Sequence, residues 1–225
     1  MRSRAPPPRL RLAAGLSLAA LAATVFLALA LDLLNGGPVT AADAAIGDWL
    51  RAHTPPAASQ ALLALTHLHS TAGIYLMAAL AALLLLWRKQ TAWLLPLVLS
   101  VPGGLLLNAG IKQAFQRARP SFDSPLPALA SYSFPSGHTA GATVWWGFLL
   151  VLLLAHRPAL RWRMAGYAVA MGMIALTALS RIYFGVHHPS DVLAAVAEGA
   201  AWLALCFALP VLEPAHRHPA GARDG

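Results

Sequence analysis

SFPSGHTAGATVWWGFLLVLLLA, residues 133–155, decides how this chain is built. Its later part, 139–155, carries no charge and is long enough to cross a bilayer as a helix, which takes about 17–25 residues. A small polar group, Pro135, Ser136, Gly137 and His138, stands at the lip of that apolar run. Polar residues at the edge of a span are costly unless they have a task. This stretch therefore speaks for a membrane helix with chemistry at its N-terminal end.

Working outward, five more apolar blocks appear, giving six at about 12–31, 71–87, 92–109, 139–155, 164–183 and 192–212. The composition agrees: 58% of residues are hydrophobic and only 11% charged, against about a quarter charged in soluble domains. The expected fold is all-α, a six-transmembrane-helix bundle forming a single domain over 1–225, with the motif-bearing region at about 105–195. Between the first two blocks, 35–70 holds Asp43, Asp48, Arg51 and Pro55-Pro56 among apolar positions. It reads as one or two amphipathic helices lying at the membrane interface. The ends, 1–8 and 214–225, read as loose polar tails.

The net charge of +8 would suggest nucleic acid in a soluble protein. Here the basic residues flank spans and set orientation, so no nucleic-acid partner is expected. With the N-terminus in the cytoplasm, six alternating spans put only Arg51, Lys112, Arg117, Arg119 and Arg181 outside, of 16 Lys and Arg in all. A signal peptide ending near Ala28-Leu29-Ala30 is an alternative reading of the first block, and it leaves the later topology unchanged. The lone Cys206 excludes an internal disulfide or a multi-cysteine zinc site.

Three polar clusters fall at the outer ends of spans. In Lys112-Gln-Ala-Phe-Gln-Arg-Ala-Arg119-Pro120, a continuing helix would place Lys112 and Arg119 two turns apart on one face, as an anion clamp. Pro120 disfavours helix at Arg119 and would turn the chain out there. In Pro135-Ser136-Gly137-His138, a helix start offers free N–H groups and a positive dipole end for phosphate. Gly137 allows close approach, and His138 can move a proton near neutral pH. In Ser180-Arg181 through His187 to Asp191, the carboxylate four residues on can hold one imidazole nitrogen and free the other as a nucleophile. Arg181 adds a planar cation suited to phosphate oxygens. Together they make an inventory for phosphoryl transfer, which depends mostly on positioning and charge stabilisation.

With its Lys112-x6-Arg119-Pro120, Pro135-Ser136-Gly137-His138 and Ser180-Arg181-x5-His187-x3-Asp191, the chain resembles the phosphatidic acid phosphatase type 2 superfamily. The resemblance implies that Lys112, Arg119 and Arg181 bind phosphate oxygens with the Ser136 hydroxyl and the Gly137 amide. His187 would attack phosphorus and become a phosphohistidine, Asp191 would orient it, and His138 would protonate the leaving oxygen. It implies a metal-independent enzyme without a cofactor. The substrate would be a lipid phosphate such as phosphatidic acid, phosphatidylglycerol phosphate or undecaprenyl diphosphate. Its expected setting is a bacterial inner membrane, with the site on the periplasmic side.

Other functions on the same motifs are a vanadium haloperoxidase, a non-catalytic lipid-phosphate binder or transporter, and a lipid phosphotransferase. The apolar blocks oppose the first, since those enzymes are soluble. Intact His138, His187 and Asp191 oppose the second, and nothing in the sequence separates the third from a hydrolase. His188 lies outside the motif spacing. His67 and His69, two apart on different helix faces, read as interfacial side chains. Glu198, two turns beyond Asp191, is expected to face the bundle interior.

Overall fold

The computed structural model describes residues 8–120, 131–156 and 158–209. The expected loose tails lie outside them, apart from Pro8, which opens the first helix. Eight α-helices follow one another among the described residues: α1 (Pro8–Leu34), α2 (Pro38–His53), α3 (Ser59–Leu68), α4 (Thr71–Trp87), α5 (Leu94–Phe115), α6 (Gly137–Ala155), α7 (Leu160–Tyr183) and α8 (Pro189–Ala208). The fold is all-α, as expected.

Among the described residues, five helical segments are long and apolar enough to cross a membrane, namely 12–34, 91–115, 137–155, 160–183 and 189–208. The sixth crossing is different. The helix α4 is short for a span, and it joins the α3 segment at a 60° bend. Counted as one broken span, the pair completes the expected six. The bend is built locally: the Ser70 hydroxyl accepts from the Gly73 amide at 3.1 Å. A Cβ on Gly73 would lie 2.2 Å from the Leu68 carbonyl oxygen, so only glycine permits this turn.

The segment expected at the interface forms two helices, α2 and α3, and α3 is the part of it that the broken span takes in. The tight connection from α1 to α2 is made by Asp32, whose carboxylate accepts from the amides of Val39 and Thr40 at 3.2 and 2.7 Å. It also accepts from the Thr40 hydroxyl at 2.8 Å. Thus the end of one helix caps the start of the next. Trp49 on α2 is exposed and stacks on His53, an aromatic anchor of the kind found at headgroup level.

Two apolar clusters hold the bundle. Ile74, Leu97, Val101, Val144 and Phe148 knit α4, α5 and α6. Phe134, Ala30 and Ala194 form a second, with Phe26 and Phe115 packed on it. The second cluster clamps the segment before α6 between α1, α5 and α8. The helix α8 packs on α1, α2, α5, α6 and α7. Its small residues allow close approach: a Cβ on Gly15 of α1 would lie 2.8 Å from the Ala208 Cβ. Such contacts drive helix association where lipid is as apolar as leucine. Leu76, Leu80, Leu83 and Leu106 point outward, where acyl chains would meet them.

Two local expectations need correction. The helix α5 runs to Phe115, past the anticipated 109, and then breaks at Gln116, which is left-handed (φ 46°). Lys112 and Arg119 therefore do not share a helical face; the chain turns four residues before Pro120. His69 is fully buried rather than interfacial, because its Nε2 accepts from the Trp146 indole N–H at 2.9 Å and so ties α3 to α6. His67 is exposed.

Candidate active site

The C-terminal ends of α5 and α7 and the N-terminal ends of α6 and α8 meet at one end of the bundle. The Ser136 amide donates to the Asp191 carbonyl at 3.1 Å, and the Arg119 guanidinium donates to the Val186 carbonyl at 2.7 Å. All three motif clusters are thereby brought together.

His187 lies in the loop before α8 and is 2% exposed. Its Nδ1 faces Asp191 Oδ2 at 3.3 Å. The same carboxylate oxygen accepts from the Ser133 hydroxyl and from the His188 amide at 2.8 Å. A carboxylate against Nδ1 favours the tautomer with its proton there, which leaves the Nε2 lone pair available. Nε2 faces the Arg119 guanidinium at 3.2 Å. Burial pushes the imidazole pKa down to about 3, with the Asp191 hydrogen bond and charge acting in the opposite direction. The ring is neutral at ordinary pH.

The cations surround this point. Lys112 Nζ donates to the Tyr132 carbonyl at 2.8 Å, and Arg119 Nη2 reaches the same oxygen at 3.3 Å. Two separate stretches thus aim positive charge at one place, by a route other than a shared helix face. Burial pulls the Arg119 guanidinium below its usual range, partly offset by Asp191. Arg181 is 1% exposed and donates to the Thr66 hydroxyl of α3 at 2.7 Å. Its Nε has no hydrogen-bond partner among the described residues. His138 stands near Arg181, Arg119 and His187.

Ser136 occupies the cap position before α6, but its side chain does not cap; its hydroxyl accepts from Thr139 at 3.1 Å. At Gly137, a Cβ would stand 3.3 Å from Asn108 Oδ1 and 3.6 Å from Lys112 Cε. The missing side chain leaves the helix start open toward Lys112. Glu198 is buried as expected and accepts from Asn108 Nδ2 at 2.9 Å.

The sequence profile of the PAP2 superfamily matches residues 93–213. The chain belongs to that superfamily. Its membrane-length helices and its relatives make this PAP2 protein an integral membrane hydrolase of the lipid-phosphatase class. A relative, phosphatidylglycerophosphatase B of Bacillus subtilis (strain 168), is 32% identical over 162 residues, spanning 71% of this chain and 79% of the relative. The crystal structure of a transmembrane PAP2-type phosphatidylglycerolphosphate phosphatase from Bacillus subtilis superposes with a TM-score of 0.75. It has 28% identity, covering 84% of this chain and 94% of the other. Aquifex aeolicus LpxE shares the fold at a TM-score of 0.57 and 22% identity, over 73% of this chain and 93% of the other.

The PAP2 motifs did not reveal every contact. Arg117 was visible only as one more outside cation, yet its Nη1 pairs with Asp191 Oδ1 at 2.5 Å and its Nη2 with Asp43 Oδ2 at 2.7 Å. Ser133 sits in a quoted cluster but had no role. Asp43, Thr66 and Asn108 gave no local signal, because their partners lie far along the chain. His188 caps α8 and is half-buried, with its pKa lowered by burial.

Proposed function

We propose that this protein hydrolyses the terminal phosphate of a lipid through a phosphohistidine on His187 Nε2. The observation that carries the reading is the 3.2 Å approach of Nε2 to Arg119, on the ring edge away from Asp191. A phosphate that takes over that guanidinium N–H lies within attacking reach of the lone pair so released. Nε2 bonds to phosphorus as the bond from phosphorus to the lipid oxygen breaks, and His138 supplies the proton to that oxygen. Water then attacks phosphorus, His138 takes up its proton, and inorganic phosphate leaves as the N–P bond opens. Lys112, Arg119 and Arg181, with the Ser136 hydroxyl and the Gly137 amide, bind the three phosphoryl oxygens and balance their charge. The unpartnered Nε of Arg181 is one such donor.

Phosphatidylglycerol phosphate is the first substrate to test, given the Bacillus subtilis relatives; phosphatidic acid and undecaprenyl diphosphate are the next. A cavity of about 220 Å³ beside His187, lined by Gly47, Arg51, Arg119 and His188 among others, has room for the headgroup left on the lipid. The excess of Lys and Arg on the opposite face supports a site on the extracytoplasmic side of a bacterial inner membrane. The test is phosphate release in detergent from these three lipids, wild type against H187A, with acid-labile phosphoenzyme trapped during turnover. Release without any phosphoenzyme would overturn the covalent route.

A further inference from the structure

We propose that Asp43, on the interfacial helix α2, is a positioning residue for the His187–Asp191 pair. The inference rests on His187 acting as the nucleophile. Asp43 is 3% exposed although it belongs to a surface-lying helix, and its two oxygens are fully engaged. Oδ1 accepts from the Ser190 amide at 2.8 Å. Oδ2 accepts from the Ser190 hydroxyl at 2.5 Å and from Arg117 Nη2 at 2.7 Å. Arg117 Nη1 then meets Asp191 Oδ1 at 2.5 Å and the Ser190 hydroxyl at 2.7 Å.

One guanidinium is therefore held between two carboxylates, one nitrogen to each. This does two things. It fixes the guanidinium plane so that Arg117 occupies Oδ1 of Asp191 and leaves Oδ2 to His187 Nδ1, Ser133 and the His188 amide. It also divides the positive charge. Without Asp43, Arg117 would fall wholly on Asp191 and cancel the negative field that steadies the histidine as it becomes positively charged during attack. Ser190 is the residue next to Asp191, so Asp43 also anchors the backbone that presents the carboxylate.

Among the described residues, none of Lys112, Arg119, Arg181, Ser136 and Gly137 makes a hydrogen bond or ion pair with Asp43. Asp43 also lies outside the matched superfamily stretch, 93–213. Its loss should slow attack and leave phosphate capture intact.

The experiment compares wild type, D43N, R117A, D43N/R117A and H187A on one hydrolysed lipid phosphate. It measures kcat, KM and inhibition by vanadate in detergent. D43N keeps the side-chain shape and is expected to lower kcat about tenfold, with KM and vanadate inhibition within about twofold of wild type. The double variant is expected to be no slower than R117A, because both changes cut the same chain of contacts. S190A, which keeps the amide on Asp43, provides a milder version of the loss in a protein with little disturbance. Full kcat in D43N, multiplied losses in the double variant, or a parallel decline of kcat, vanadate affinity and thermal midpoint would each overturn the proposal. Hydrolysis persisting in H187A would overturn the nucleophile assignment as well. Loss in H187A with full kcat in D43N would overturn this proposal alone.

Discussion

His187 is held on one ring edge by Asp191 and faces Arg119 on the other, so its substitution should remove the reaction rather than weaken substrate binding. H187A is expected to lose on the order of a thousandfold or more in kcat, measured as phosphate release; residual activity near wild type would oppose the mechanism. Its burial has a consequence for stability. The folded ring sits near 3, whereas an unfolded histidine titrates near 6.5. Between those values the unfolded chain binds more protons, so this stabilisation is complete above about 6.5 and is lost as pH falls toward 3. Thermal midpoints in detergent should drop from about pH 7 to about pH 4.5, and less steeply in H187N; equal slopes would remove His187 from that account. Gly137 matters differently. The added methyl of G137A would press on Asn108 Oδ1 and come into contact with Lys112, and a vanadate inhibition constant raised roughly tenfold is expected. The motif residues were legible because glycine, histidine and arginine at the lip of an apolar run have few other reasons to be there. Ser133 was not, since a serine in the loop ahead of a helix start is common.

Between helices, the Asn108–Glu198 hydrogen bond ties α5 to α8 beneath the site. Removing the acceptor with E198A leaves a buried amide unsatisfied, at a cost of about 1–3 kcal/mol. The thermal midpoint should fall, and E198Q, which still offers an acceptor, should fall less; an unchanged midpoint in E198A would deny the link. Helix existence was readable from apolar length, because a bilayer leaves few other ways to satisfy the backbone. Helix ends were less so. Gln116 ends α5 in a left-handed conformation without the glycine that usually announces one. Reading Lys112 and Arg119 as helical neighbours followed from that missing signal. The bend between α3 and α4 was likewise hidden, although Ser70 and Gly73 mark it once the backbone is seen.

At the scale of the whole protein, the proposed site offers Lys112, Arg119 and Arg181 for the charge that a divalent ion would otherwise neutralise. Hydrolysis is therefore expected to be unaffected by chelator and inhibited by vanadate; strong magnesium dependence in the lipid-phosphate assay would contradict this. The six-crossing plan was legible from composition and the lengths of the apolar blocks. The docking of α2 and α3 onto the site was not, because it depends on pairs as distant as Asp43 and Ser190, 147 residues apart. Those two helices precede the stretch that defines the superfamily, yet Asp43 reaches Arg117 and Thr66 reaches Arg181. A chimera joined near residue 90, grafting the first half of another superfamily member onto this second half, would thus inherit the complete signature and still be catalytically mismatched.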